Sequence, residues 1–166
     1  MQSTSPENIL LRLAREHEQQ VVQIYAELAH RGFPLQHQRP HVTVTFAHIM
    51  QTRVVGEAAV ALPPLLPARL ERAGTVIFGT KRKQTVAWLL EAPDALDDAA
   101  RRLSAMNPDG RGPRWIPHLT MGLRLPKAMV PAYVEALAEV TNPHLRSLTV
   151  EVAAFYQPRL GAELVL

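Results

Sequence analysis

The sequence predicts an α+β fold in which one unit is written twice, the two copies forming the lobes of a single bilobal domain with an approximate two-fold axis. Three observations carry that expectation. The phrase Pro40-His41-Val42-Thr43-Val44 returns as Pro117-His118-Leu119-Thr120-Met121. Around each copy runs the same succession of strand, helix, motif strand, helix, strand. Corresponding points in the two successions are offset by about 77 residues, from first strands near Asn8 and Thr85 to last strands near Arg69 and Arg146. The repeat halves therefore span roughly 8–79 and 84–157 of one domain covering 1–166. A period this long excludes a solenoid, and a two-fold relation brings the two motif strands together across a shared groove.

Each element follows from local pattern. Asn8 to Leu13 reads as a strand. Glu18 to His30 reads as a helix with Val21, Ile24, Tyr25 and Leu28 on one stripe, ended by Gly32 and Pro34. A loop from Phe33 to Pro40 delivers the first motif strand, His41 to Ile49. Val55, Ala58, Ala59 and Leu62 give a second helical stripe, stopped by Pro63-Pro64 and Pro67. Arg69 to Gly79 is a strand, Lys81-Arg82-Lys83 a basic hairpin tip, and Thr85 to Leu90 the returning strand. Pro93 opens a third helix whose early Asp94, Asp97 and Asp98 and later Arg101 and Arg102 suit the helix dipole, with Leu96, Ala99, Ala100 and Leu103 as its buried stripe. Asn107-Pro108-Asp109-Gly110 is a turn signal leading to the second motif strand, Trp115 to Leu125. Pro126 opens a fourth helix bearing Val130, Val134 and Leu137, and Leu148 to Tyr156 closes the chain.

Alternation gives each motif strand two unlike faces. His41, Thr43 and Thr45 share one face, with Val42, Val44 and Phe46 on the other. In the second copy His118, Thr120 and Gly122 oppose Leu119, Met121 and Leu123. With 7 His and 10 Thr in 166 residues, roughly 0.4 His-x-Thr triplets are expected by chance. Two copies, both after proline and both inside strand-like runs, exceed that expectation.

Composition narrows the chemistry. The chain is long enough to bury roughly 70% of its unfolded surface and needs no covalent staple. It has no cysteine, which removes disulfides, thiolate catalysis and sulfur-ligated zinc. Eighteen basic against 15 acidic residues permit an anionic substrate without demanding a nucleic-acid footprint. The start, Met1 to Glu7, has neither a basic region nor an apolar run of signal-peptide length, and no later stretch approaches about 18 consecutive apolar residues. A monomeric cytoplasmic protein without membrane contact is the expectation.

Two histidines on opposite walls of a groove suit in-line displacement at phosphorus, where attacking and leaving oxygens lie on opposite sides. A neutral imidazole takes a proton from the nucleophile while an imidazolium gives one to the leaving oxygen. Each threonine hydroxyl, two residues on, can hold a non-bridging phosphate oxygen. The scheme requires no metal or cofactor, and the motif histidines lack metal-ligand partners at close spacing.

Paired His-apolar-Thr-apolar motifs at His41, Thr43, His118 and Thr120, in duplicated lobes of this size, resemble the 2H phosphoesterase superfamily, in the branch similar to bacterial 2′-5′ RNA ligases and RNA 2′,3′-cyclic phosphodiesterases. The resemblance implies antiparallel sheets lining a central cleft with helices outside. It also implies metal-independent opening of a 2′,3′-cyclic phosphate at an RNA end, with reversible 2′-5′ ligation as a side activity. The chain departs from that pattern in two places. Many relatives have Leu-Gly after the first motif's Phe, where this chain has Ala47-His48, and many place an arginine where Leu123 stands here. By alternation Arg124 shares the face of His118 and Thr120 and so reaches phosphate.

Secondary substrate contacts are expected from Thr45, Arg124, Tyr156 and Phe33. The aromatic rings of Phe33 and Tyr156 suit either base stacking or packing, and Trp115 suits packing better. His48 has the opposite strand parity to His41 and is read as a core or edge residue. His17, His30, His37 and His144 are read as solvent-facing. The partner is an RNA 3′ end or a cyclic nucleotide. Two other readings stay open: the same chemistry on another phosphodiester, and a non-catalytic module that binds RNA or nucleotide.

Overall fold

In the computed structural model, which describes residues 5–166, the helical stripe Val21, Ile24, Tyr25 and Leu28 is the buried face of α1 (Arg15–His30). The first four residues of the Met1 to Glu7 start, read above as carrying no leader, lie outside the described residues. The end of α1 is set by Gly32 at φ 95°, which lets the Gly32 N–H reach the Ala29 carbonyl and the Phe33 N–H reach that of Leu28. That left-handed step satisfies carbonyls the helix leaves open and turns the chain toward the first motif.

The remaining elements are β1 (Glu7–Leu13), β2 (His41–Ala47), α2 (Thr52–Ala61), β3 (Ala68–Phe78), β4 (Lys83–Glu91), α3 (Asp94–Met106), β5 (His118–Pro126), α4 (Val130–Val140), β6 (Ser147–Gln157) and β7 (Ala162–Val165). Single 3-10 turns precede β3 and α4. The expected stripe of α3 is buried in full, with Ser104 added. Two stripes are rotated from expectation. In α2 the buried residues are Val54 and Ala58, while Val55 only edges the core and Ala59 is exposed. In α4 Tyr133 and Ala136 join Val130 and Leu137, and Val134 is half-buried. Both helices are short, so a one-residue error in phase changes which side chain meets the sheet.

All strand pairs are antiparallel, in one sheet of order β1-β2-β5-β4-β3-β6-β7, and β1 also pairs with β6. The first six strands thus form a ring. Its neighbour relations are unchanged when β1 is exchanged for β4, β2 for β5 and β3 for β6. The same exchange carries the packing of α1 on α4 into that of α3 on α2. The long strand β3 joins the halves: Ala68 to Glu71 pair with β6 and Glu71 to Phe78 pair with β4, with a shift of register near Arg72. β7 is an element the sequence reading lacks; it pairs beside the end of β6 and brings Glu163 opposite Tyr156. Among the described residues no helix is long and apolar enough to cross a membrane.

Candidate active site

The two motif strands carry the same irregularity at the same point. Opposite β1, Ile9 pairs with Thr45 and Leu10 with Thr43, so Val44 is one residue too many. Opposite β4, Val86 pairs with Gly122 and Ala87 with Thr120, so Met121 is the extra residue. A bulge of this kind reverses the alternation beyond it. Its effect is visible in burial, which runs half-buried, buried, half-buried, buried, buried, exposed both from His41 to Phe46 and from His118 to Leu123.

Beyond the bulge, therefore, simple alternation fails. Thr45 turns inward, where its hydroxyl accepts a hydrogen bond from Asn107 Nδ2 at 2.9 Å. Phe46 and Leu123, expected on the core face, are half-exposed. Arg124 lies against Thr85, which continues the row of Leu89 and Ala87 opposite His118 and Thr120. A second register shift lies near it, and it adopts φ 51°, in the left-handed region that non-glycine residues seldom occupy. Gly122 is closely enclosed: a Cβ there would lie 2.6 Å from the Tyr133 ring.

β2 and β5 meet at one residue pair, Val42 with Leu119. In antiparallel register the residues on either side of such a pair lie across from one another, so His41 stands opposite Thr120 and Thr43 opposite His118. The imidazoles are held alike. His41 Nδ1 lies 2.8 Å from the Arg39 carbonyl oxygen, and His118 Nδ1 lies 2.7 Å from that of Ile116. A carbonyl only accepts, so each Nδ1 carries the proton and each Nε2 is left as the reactive nitrogen.

Burial pushes both imidazoles below their ordinary pKa. The carbonyl at each Nδ1 opposes that shift. For His41 the charges of Arg12 and His118 lower it further and Glu163 raises it; for His118 the Arg111 charge lowers it.

Partners from distant elements fix the threonines. Asn8 Nδ2 donates to Thr43 Oγ1 at 3.1 Å, leaving the Thr43 O–H free to donate elsewhere. Trp115 Nε1 donates to the Thr43 carbonyl at 2.9 Å, and the Tyr25 hydroxyl donates to the Thr120 carbonyl at 2.6 Å. Beside His118 opens a cavity of about 90 Å³, walled by Thr43, Phe46, Phe78, Arg111, Trp115 and Ile116 among others. The Phe78 ring lies 4.7 Å from the His118 ring, centroid to centroid.

His41, Thr43, His118 and Thr120 are thus brought together at the β2 and β5 seam. The secondary candidates are placed less uniformly. Thr45 contributes to the cavity floor, with its hydroxyl engaged by Asn107. Tyr156 pairs with Asn8 across β1 and β6, and its ring lies 6.0 Å from the Arg12 guanidinium. Arg12 pairs with Glu163. Phe33 packs edge-on against the buried Tyr133, 5.2 Å away, and does not line the cavity. Trp115 is buried as expected. His48 is exposed, and its carbonyl accepts from Arg159. His17, read as solvent-facing, instead accepts the Thr149 N–H at Nδ1, 2.8 Å away. Among the described residues no group of three or more His, Cys, Asp or Glu side chains converges on a metal position.

As residues of the site, Asn8, Tyr25, Asn107 and Arg111 escaped the sequence reading. Only Asn8 left a signal there, a polar residue inside an otherwise apolar strand.

No family model matches this chain, and no curated protein matches it. Among solved structures it is similar to the structure of Usb1 from Kluyveromyces marxianus. The match has a TM-score of 0.54 and 12% identity, and it covers 97% of this chain and 96% of that one. At such identity the likeness is one of fold alone, and the fold of this chain is α+β, a seven-stranded antiparallel sheet with four helices.

Proposed function

We propose that this protein is a phosphodiesterase that opens 2′,3′-cyclic phosphates, at RNA ends or on nucleotides, with His41 and His118 as its acid and base. The observation that carries the reading is the matched pair of imidazoles, each tied at Nδ1 to the carbonyl two residues back and each opposite the other motif's threonine.

In the proposed step one neutral imidazole accepts a proton from water at Nε2 as the water oxygen bonds to phosphorus. The bond from phosphorus to O3′ breaks, and the other imidazolium gives its Nε2 proton to O3′. The product is a 2′-phosphate with a free 3′-hydroxyl. The first histidine ends protonated and the second neutral, so proton exchange with solvent restores the starting state. Thr43 and Thr120 donate to the non-bridging oxygens, where charge builds up. With a 5′-hydroxyl in place of water the same displacement forms a 2′-5′ linkage, which is the ligase side activity. The steps use this chain's own groups and require no metal.

The same reading takes the chain as a single duplicated domain acting as a cytoplasmic monomer. Its test is incubation with nucleoside 2′,3′-cyclic monophosphates and a short RNA ending in a cyclic phosphate, in EDTA. The expected result is turnover to 2′-phosphates that is lost in His41→Ala and His118→Ala. Binding without turnover would identify a non-catalytic nucleotide-binding module instead.

A further inference from the structure

The net charge of +3 conceals a strong asymmetry. Residues 74–90, which run from the second half of β3 through most of β4, and residues 110–134, which contain β5, together hold seven basic residues and no acidic one. The rest of the chain is therefore net acidic.

Five of the seven converge. Lys81, Arg82 and Lys83 at the hairpin tip, with Arg124 and Lys127 at the end of β5, line one open concavity beside Thr80. All five are exposed, and among the described residues none of their side chains forms an ion pair or hydrogen bond. Cations left unpaired at one place repel one another, and a stable fold has no need to gather them.

The backbone holds the cluster in position. The Lys127 N–H donates to the Arg82 carbonyl at 2.9 Å, and Lys83 pairs with Pro126, so the tip is fastened to the end of β5. Arg124 is turned by the two register shifts and by its left-handed φ. Its N–H donates to Thr85 Oγ1 at 3.2 Å.

The cluster also communicates with the reaction site. Along β4, Leu89 lies opposite His118 and Ala87 opposite Thr120; Thr85 and then Lys83 continue the same parity. Lys83 is therefore about 13 Å from the Thr120 row. Phe78, paired with Thr85, packs on the His118 ring.

From this placement we infer that Lys81, Arg82, Lys83, Arg124 and Lys127 bind the phosphate backbone of a single-stranded RNA whose reacting end lies between His41 and His118. The inference deepens the proposed reaction by making a polynucleotide, rather than a free cyclic mononucleotide, the substrate class. A flexible strand suits a row of exposed cations because each contact releases counterions without requiring a base sequence.

The test has two arms. In the first, binding of a fluorescent single-stranded oligoribonucleotide of about ten nucleotides is followed by anisotropy as salt is raised, for the parent and for K81Q/R82Q/K83Q. These three side chains are exposed, so circular dichroism of the variant should match the parent. Loss of three backbone contacts should reduce the slope of log affinity against log salt by about 2. An unchanged slope, or a parent that does not bind the strand, overturns the inference. In the second arm kcat/KM is measured on the oligonucleotide bearing a 2′,3′-cyclic phosphate and on a cyclic mononucleotide. The loss in the variant should be greater on the oligonucleotide by on the order of tenfold, and equal losses on the two substrates overturn the inference. Absence of turnover in the parent would count against the phosphodiesterase reading alone, since the binding arm needs no chemistry.

Discussion

Val42 and Leu119 form the residue pair at which β2 meets β5, and each is the middle residue of a His-x-Thr motif. This single contact positions the candidate site. Because the strands run antiparallel, pairing the middle residues sets each histidine against the other motif's threonine. A shift of one residue would put one motif's polar face against the other's apolar face.

His41→Asn and His118→Asn should each lower kcat on a cyclic phosphate by on the order of 10²–10⁴, the usual worth of a general acid or base. The double variant should be little worse than either single one, because the two act as a unit. Single-turnover kinetics would show this, and equal thermal midpoints would separate lost chemistry from lost folding.

The pH profile of kcat/KM should be bell-shaped and displaced to the acid side. One histidine must be neutral and the other charged, and burial lowers both. Activity should therefore fall as pH rises through a value below the ordinary imidazole pKa of about 6.5. Stability carries the opposite sign. The unfolded chain binds protons at these histidines more readily than the native one, so stability is full above the unfolded imidazole pKa of about 6.5 and declines as pH falls from there through the lower native values. Urea titrations between neutral and mildly acid pH should show that decline, with less of it in the His41→Asn, His118→Asn variant.

Asn8→Ala should cost activity more than stability. Asn8 Nδ2 holds the Thr43 hydroxyl, while Oδ1 is buried without a partner among the described residues. Removing the amide releases Thr43 but also deletes an unsatisfied acceptor, whose burial costs about 1–3 kcal/mol. The expected outcome is a fall in kcat of about tenfold, as for a weakened oxyanion contact, with KM nearly constant and a midpoint shift of only a few degrees. A large loss of stability with unchanged kcat would make Asn8 a packing residue only.

Gly122→Ala should destabilise the protein by about 1–3 kcal/mol through overpacking. The added methyl would meet the Tyr133 ring at 2.6 and 2.8 Å, and that ring is fully buried with its hydroxyl bound to the Met121 carbonyl. Denaturant unfolding measures the loss, and Tyr133→Leu in the same chain should restore part of it by making room.

Some tertiary partnerships had no trace in local pattern. Asn107 read as a turn residue, and its backbone does close the turn through the Gly110 N–H. Its buried side chain, however, spans to Thr45 and to the Phe46 carbonyl on β2. Trp115 read as packing and is buried, but its indole N–H also holds the Thr43 carbonyl, 72 residues away in the chain. A short, exposed strand such as β7 has no buried face to write a period-two pattern, and its four residues are exposed.

The sequence by itself determined the repeat, the order of elements, the main helical stripes and the face that carries each histidine and its threonine. These follow from interactions among near neighbours: helical and strand periodicity, turn chemistry and proline. The tertiary structure alone decided what lies beyond each threonine. Whether a strand alternates or bulges depends on the register of the strand beside it, and just past each threonine β1 and β4 face one residue too many, with a second such shift further along β4. That mismatch buries Thr45 and exposes Phe46 and Leu123. Closure of the ring through β1 and β6 likewise rests on pairing between chain ends that no local pattern records.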